Sequence, residues 1–186
     1  MEPSEKAQPQ PFTTQKYMLQ HHGSLELGMC NQLTNAFMET CIRGEDPSSL
    51  INNEHLFYEK AQEQSHIQKK MLSENKPNFR YPAFESNHIP YEIEQGKYGE
   101  LTNANKIEGR VGTSRYTFFS IPTGNGNYHM TGLTKDGNTC QFFDADFPGG
   151  IIKSDCRKIF AYMAKLNKDI YSKNPLSETV IAKSKN

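Results

Sequence analysis

The sequence predicts an α+β protein with a helical N-terminal part and a C-terminal antiparallel β-sheet. Residues 29–43 carry apolar side chains at helical spacing, and residues 46–75 continue a mostly polar helical pattern. Residues 114–121 are aromatic and β-rich, and Asp136-Gly137 is a strong signal for a β-hairpin. Because the helical patterns come before the strands, the order is that of an α+β domain.

The helical part begins with a predicted helix over residues 29–43. Cys30, Leu33 and Phe37 fall at positions i, i+3 and i+7, so they form one apolar stripe that a core can cover. Gly44 predicts the end of this helix. Asp46-Pro47-Ser48 predicts the start of the next one, because proline is favoured in the first turn.

The middle of the chain, residues 76–112, has the least regular pattern. It holds three prolines and few apolar residues, so we expect mostly loop, with a short helix over residues 91–98. Loops of this kind carry binding residues in many proteins, and we expect specificity loops here.

The C-terminal part is predicted to hold a strand over residues 114–121, a turn over 122–127 and then the hairpin. Ser154-Asp155 predicts the start of a last helix, which Asn174-Pro175 ends. Residues 179–182 are predicted to form a last short strand.

The domain organisation is predicted to be simple. Residues 1–16 are rich in Pro, Gln, Thr and Ser and are expected to form a flexible tail, and residues 17–186 a single domain. The start of the chain lacks the apolar segment of a secretory signal peptide. No apolar run approaches the length of a membrane span.

Charge excludes two classes of partner. The 21 basic and 21 acidic residues give a formal net charge of zero, so electrostatic attraction to nucleic acid or to an anionic membrane is not expected. We expect a monomer.

The four cysteines show neither a CxxC pair nor any other metal-binding spacing. Without an export signal, free thiols are expected rather than two disulfides. Neither a metal ion nor a cofactor is expected.

The hairpin predicts a pairing of His129 with Asp144. If Asp136-Gly137 forms a two-residue loop, then opposite residues have numbers that sum to 273, and 129 and 144 satisfy this sum. The imidazole and the carboxylate would lie on one face of the sheet, with Cβ atoms about 5 Å apart. Such a pair is the orienting half of a nucleophilic triad.

Cys30 is the predicted nucleophile of this triad. It lies in the first turn of the predicted helix, where the partial positive charge and the free N–H groups of the helix end favour a thiolate and an oxyanion. Cys140 is a rival on the face of His129, but it lies in mid-strand and is interpreted as a core residue, like Cys41. Cys156 lies in the first turn of the last predicted helix and ranks second, because no imidazole is placed near it.

Two segments around these residues resemble a known family. Gly28-Met29-Cys30-Asn31-Gln32-Leu33 is similar to the Gly-x-Cys-x-x-Leu nucleophile segment of the YopT/AvrPphB-type cysteine peptidases, a papain-like group of bacterial effectors and toxin domains. Residues 128–133 and 140–149 resemble the histidine segment and the Phe-Phe-Asp-Pro-Asn-x-Gly segment of that family, with Ala145 in place of the proline and Asp146 in place of the asparagine.

The resemblance implies a papain-like fold, in which the catalytic cysteine starts a helix that packs on the antiparallel sheet. It implies Cys30 as nucleophile, His129 as general base and acid, and Asp144 as the residue that orients His129. Papain-like enzymes place an Asn or Gln several residues before the nucleophile to complete the oxyanion hole. Residues 21–28 contain neither, so that donor is unassigned.

The function implied is a cysteine protease that acts on a host protein, as an effector delivered by a specialised secretion system into the host cytoplasm. A glutamine deamidase or a transglutaminase-like enzyme would use the same triad and the same thioester chemistry. A non-catalytic binding module that keeps the papain-like frame is the third hypothesis.

Overall fold

A computed structural model of the protein describes residues 14–22, 28–124 and 126–186. Within them the helices precede most of the strands, as predicted. The helices are α1 (Thr14–His22), α2 (Met29–Ile42), α3 (Ser48–Ile51), α4 (Glu54–Ser73), α5 (Pro82–Ser86), α6 (Ala104–Val111) and α7 (Cys156–Leu166). A 3₁₀ turn (Tyr98–Thr102) precedes α6, and a π-helical turn (Asn167–Tyr171) extends α7.

The strands form one antiparallel sheet in the order β1-β6-β2-β3-β4-β5. Their bounds are β1 (Tyr91–Lys97), β2 (Tyr116–Gly124), β3 (Asn127–Asp136), β4 (Thr139–Asp144), β5 (Gly150–Asp155) and β6 (Glu178–Ser184). The predicted last strand is therefore confirmed, and it lies inside the sheet between β1 and β2 rather than at its edge.

Helices cover both faces of the sheet. On one face α2 packs against β3 so closely that a Cβ added at Gly132 would lie 3.0 Å from the Thr34 side chain. Phe37 stacks on Phe143 of β4 on this face, with ring centroids 5.3 Å apart. On the other face α6 and α7 bury a second core against the sheet, and Phe142 of β4 belongs to it. Because successive strand residues point to opposite faces, neighbours such as Phe142 and Phe143 serve different cores.

The hairpin between β3 and β4 differs from the prediction in its register. The loop residues are Gly137 and Asn138, and Asp136 pairs with Thr139, so paired numbers sum to 275 instead of 273. Gly137 has a φ of 59°, and Asn138 is not in the left-handed region. This pattern fits a type II′ turn, which needs a positive φ at its first central residue alone, whereas the expected type I′ turn needs two. A shift of two keeps every side chain on its expected face.

The prediction of a short helix over residues 91–98 is wrong, because Tyr91–Lys97 forms strand β1. Its Glu, Gln and Lys residues favour a helix, but seven paired positions with β6 override that preference. As an edge strand, β1 tolerates these polar side chains.

The N-terminal region is described in part. Residues 14–16, which the sequence analysis assigns to the tail, form the first turn of α1, and residues 1–13 lie outside the described residues. Across the described segments, no helix is both long and apolar enough to cross a bilayer.

Candidate active site

A free thiol stands at the N-terminus of α2. Cys30 is the second residue of this 14-residue helix and is half-buried, with no disulfide partner. Gly28 precedes the helix with a φ of 90°, a conformation that a residue with a side chain rarely adopts. No side chain caps the helix from that position. The first-turn N–H groups therefore remain available to a developing negative charge beside the thiol.

His129 and Asp144 form a buried pair on the sheet. His129 Nε2 lies 2.8 Å from Asp144 Oδ1, and the two side chains are 4% and 0% exposed. The pair is diagonal across β3 and β4, since the register places Asp144 across from Thr131. The Cys30 thiol is a hydrogen-bond partner of the same imidazole. The structure thus brings the three sequence-predicted site residues together in the order thiol, imidazole, carboxylate.

Asp144 is fixed by the loop that follows β4. Its Oδ1 accepts hydrogen bonds from the backbone N–H groups of Asp146 at 2.8 Å and Phe147 at 3.2 Å. These bonds stabilise the ionised carboxylate and hold it toward the ring. His129 pairs with Ile121 of β2, so its backbone is held in the sheet.

Tyr171 is a site residue that the sequence analysis missed. Its hydroxyl donates to Asp144 Oδ2 at 2.7 Å, and the same oxygen lies 3.0 Å from His129 Nε2. The phenol and imidazole rings are 5.2 Å apart between centroids. Tyr171 follows Asp144 by 27 residues and comes from the π-helical turn after α7, so no local pattern in the sequence could connect them.

The electrostatics favour a charged imidazole. Burial alone lowers the pKa of His129, because it disfavours the charged form. The negative charge and hydrogen bond of Asp144, followed by those of Cys30, outweigh burial, so the pKa of His129 is raised well above its ordinary value. Burial and the neighbouring Asp144 also raise the pKa of Tyr171, which keeps this phenol protonated as a donor.

A second carboxylate approaches the imidazole from its other side. Asp146 Oδ2 lies 3.5 Å from His129 Nδ1, and Asp146 is 27% exposed. Gln15 of α1 donates from Nε2 to Asp146 Oδ1 at 3.0 Å and so holds this carboxylate. The backbone N–H of Gln15 donates to the carbonyl of Ala145. Asp146 was noted in the sequence only as a departure from the family pattern, because the contact with Nδ1 depends on the fold of the loop.

A cleft opens directly at the thiol. It has a volume of about 390 Å³, and Cys30, Arg80 and Tyr128 are among its lining residues. A second depression of about 250 Å³ shares Arg80 and Tyr128 and has a more apolar lining that includes Ile93 and Val180. The two depressions therefore adjoin each other, and together we call them the groove. Arg80 comes from residues 76–112, where specificity loops were expected.

An amide network lies under the thiol. Gln68 of α4 donates from Nε2 to Asn31 Oδ1 and accepts at Oε1 from Gln32 Nε2 at 2.5 Å. Asn31 uses its own amide hydrogens on the Arg80 carbonyl at 3.2 Å and on the Met130 sulfur. Asn31 and Gln68 both line the thiol cleft. Gln68 is 1% exposed, and its two side-chain hydrogen bonds hold the amide in one orientation.

The rival cysteines are joined to each other. Cys140 of β4 and Cys156 at the start of α7 form a disulfide, so the expectation that all four cysteines are free thiols is wrong. The pairing of Cys140 with Ser154 brings the start of α7 back beside β4, and the Cys156 N–H donates to the Asn138 carbonyl at 2.8 Å. Neither cysteine is available as a nucleophile in this form. Cys41 is a free thiol, and burial, with a smaller contribution from Asp46, raises its pKa to about 12.

A solved structure with the same fold is that of the avirulence protein AvrPphB from Pseudomonas. The two chains are 14% identical, and the match has a TM-score of 0.61 and covers 85% of this chain and 92% of that chain. No protein-family model matches the sequence. No curated protein matches it. The likeness establishes the α+β, papain-like fold, with the N-terminal helical part packed on the C-terminal antiparallel sheet.

Proposed function

We propose that the protein is a cysteine protease in which Cys30 is the nucleophile, His129 the general base and acid, and Asp144 the residue that orients His129. The observation that carries this proposal is the continuous contact of thiol, imidazole and buried carboxylate at the mouth of a groove. Two sequence segments that resemble a cysteine peptidase family, and a shared fold with AvrPphB, support it independently.

The first half of the reaction forms a thioester. The thiolate of Cys30 attacks the carbonyl carbon of a bound peptide, and the carbonyl oxygen becomes an oxyanion. His129 donates its Nδ1 hydrogen to the leaving amine as the C–N bond breaks. Nδ1 takes this role because Nε2 is occupied by Asp144 and Tyr171. Asp144 stabilises the imidazolium before the transfer and fixes the ring during it.

The second half releases the enzyme. Neutral His129 accepts a proton from a water molecule, and the resulting hydroxide attacks the thioester carbon. Collapse of the tetrahedral intermediate breaks the C–S bond, frees a carboxylic acid and restores the thiolate of Cys30 beside the imidazolium.

The oxyanion needs donors that are already oriented. The backbone N–H of Cys30 at the start of α2 is one donor. Gln68 supplies the second from its Nε2, which carries one hydrogen beyond the one given to Asn31. The two hydrogen bonds that hold Gln68 support this assignment, because a preorganised donor stabilises a transition state without rearrangement.

The biological setting belongs to the same proposal. Residues 17–186 act as one monomeric catalytic domain on a host protein, after delivery by a specialised secretion system into the host cytoplasm. The name of AvrPphB as an avirulence protein, and the effector family that the two motifs resemble, support this setting.

Thiol reactivity gives the first test. With a pKa of about 12, Cys41 is ionised to only about one part in 100,000 at pH 7, so it serves as an internal control. We expect iodoacetamide at pH 7 to label Cys30 at least 100-fold faster than Cys41, as read by peptide mass spectrometry. Equal rates would contradict the proposal and favour a binding module.

Mass spectrometry of treated host proteins gives the second test. Wild type and Cys41→Ala should generate new peptide termini, and Cys30→Ala should not. A gain of roughly one mass unit on intact targets would show a deamidase with the same triad. Full activity of Cys30→Ala would reject the assigned nucleophile.

A further inference from the structure

Tyr171 closes a hydrogen-bonded ring with the two partners of the site. Its hydroxyl has one hydrogen, which points to Asp144 Oδ2 at 2.7 Å. The lone pairs of the hydroxyl oxygen therefore face His129 Nε2, which lies 3.0 Å away. Asp144 Oδ1 faces the same nitrogen at 2.8 Å. Two acceptor oxygens thus converge on Nε2.

This arrangement distinguishes the two neutral tautomers of the imidazole. With hydrogen on Nε2, the N–H donates to both oxygens. With hydrogen on Nδ1, the bare lone pair of Nε2 would face the lone pairs of a carboxylate and a phenol. Turning the hydroxyl toward Nε2 would not relieve this, because Asp144 Oδ2 would then lose its donor inside the protein.

The backbone holds Tyr171 in place. The π-helical turn is closed by a 2.9 Å hydrogen bond from the Ser172 N–H to the Asn167 carbonyl, and Ser172 has a φ of 40°. The Asn167 side chain donates to the Leu101 carbonyl at 2.8 Å and anchors the turn to the 3₁₀ segment. Phe147 packs edge-on against the phenol ring, with centroids 6.1 Å apart. Such π-turns are frequent at functional sites.

We infer that Tyr171 is a positioning residue that holds the hydrogen of neutral His129 on Nε2 and keeps Nδ1 directed at the Cys30 thiol. The inference rests on the proposed function, since the choice of nitrogen matters only to a reacting imidazole. It assigns Tyr171 no contact with substrate. The groups that face His129 are Cys30 from α2, Asp144 from β4, Asp146 from the loop after β4, and Tyr171 itself. Asp144, Asp146 and Cys30 also face Tyr171.

Tyr171→Phe keeps the ring and removes only the hydroxyl. Tyr162→Phe is the matched control, because this α7 phenol is 1% exposed and its hydroxyl has no hydrogen-bond partner within the described part of the chain. In Tyr171→Phe we expect the titration of His129, followed by imidazole nitrogen NMR, to move about one pH unit lower, since the imidazolium loses one acceptor. Tyr162→Phe should titrate as wild type.

The tautomer of neutral His129 can also be measured in the wild-type protein, without any variant. Above its pKa, His129 should show the nitrogen shifts of a ring protonated at Nε2. A ring protonated at Nδ1, or an unchanged titration in a folded Tyr171→Phe protein, would overturn the inference. Neither result depends on substrate cleavage. Failure of Cys30→Ala to abolish cleavage would reject the proposed function and leave the tautomer result standing.

Discussion

Asp144→Asn removes the charge that holds His129 protonated and preserves the shape of the site. The backbone N–H groups of Asp146 and Phe147 both donate to Oδ1, so the carbonyl oxygen of asparagine must take that position. Its NH₂ group then faces Tyr171, whose hydroxyl can accept in place of donating. The His129 Nε2 hydrogen still meets an oxygen. We therefore expect a folded protein in which a neutral hydrogen bond replaces a charged one.

The magnitude follows from burial. Breaking a buried ion pair by removal of one partner costs about 3–5 kcal/mol, because the remaining charge is uncompensated. At 1.36 kcal/mol for each pKa unit, the pKa of His129 should fall by about 2–4 units. Because the carboxylate of Asp146 remains 3.5 Å from His129 Nδ1, we expect the fall in the pKa of His129 to lie near the smaller of these values. Such a fall shifts the ring toward its neutral form, and Cys30 loses part of the adjacent positive charge. A positive charge beside a thiol favours the reactive thiolate, so alkylation of Cys30 should slow by about tenfold.

The assay combines His129 NMR titration with alkylation rates from pH 5 to pH 10. Asp169→Asn is the control, because this exposed carboxylate pairs with Lys165 one turn away. The raised pKa of His129 also sets the pH dependence of stability. The pair stabilises the fold fully below the unfolded pKa of about 6.5, and this contribution is lost as the pH rises through the higher folded pKa. Asp144→Asn should lose that pH dependence. An unmoved titration, with alkylation within twofold of wild type, would refute the reasoning.

Three further changes test the surroundings of the site. Gln68→Ala should lower kcat by about 100-fold or more with little change in KM, because one oxyanion donor is lost. Gln64→Ala is the control and should leave kcat unchanged, since Gln64 lies one turn earlier and its side chain has no hydrogen-bond partner in the described segments. Equal kinetics of the two variants would show that Gln68 is not part of the oxyanion hole. Asp146→Asn should lower the pKa of His129 by about one unit, since a half-exposed carboxylate is lost beside Nδ1, and NMR titration would detect this. Replacing Cys140 and Cys156 together by serine should lower the free energy of unfolding by about 3 kcal/mol, because the disulfide closes a loop with a sequence separation of 16. Denaturant titration with and without reductant measures the loss. Reductant should destabilise the wild type and have no effect on the variant.

The contact of His129 with Asp144 was predictable because β-strand geometry depends on parity. The hairpin loop lies one residue later than expected, which moves the register by two and leaves all side chains on the same faces. The helix start at Cys30 was equally predictable from the apolar stripe that follows it and from Gly28. Both features depend on local spacing, and the one-residue error in the position of the turn did not change the face on which a side chain lies.

The features that were missed depend on pairings over longer distances. Strand β1 has a helix-favouring composition, and only its neighbour β6 makes it a strand. The disulfide requires the β4–β5 register to bring Cys156 back to Cys140. Pro148-Gly149-Gly150 indicates a turn between these strands but does not fix which of their residues pair. The lack of an export signal favoured free thiols, but that argument concerns the redox environment of the protein and not the distance between two cysteines.

The two halves of the site differ in how firmly the fold determines them. The proposed nucleophile depends on one helix end, whereas the imidazole has four neighbours: Asp144 and Tyr171 at Nε2, Asp146 at Nδ1, and the Cys30 thiol. A carboxylate beside Nδ1 competes with the thiolate for the same hydrogen, so Asp146 opposes the ion pair that Asp144 promotes. The contacts of Nε2 with Asp144 and Tyr171 hold the ring, because it cannot exchange its two nitrogens without breaking both. The orientation of the imidazole that the proposed mechanism needs therefore depends on the hydroxyl of Tyr171, although Tyr171 is not among the residues that line the groove.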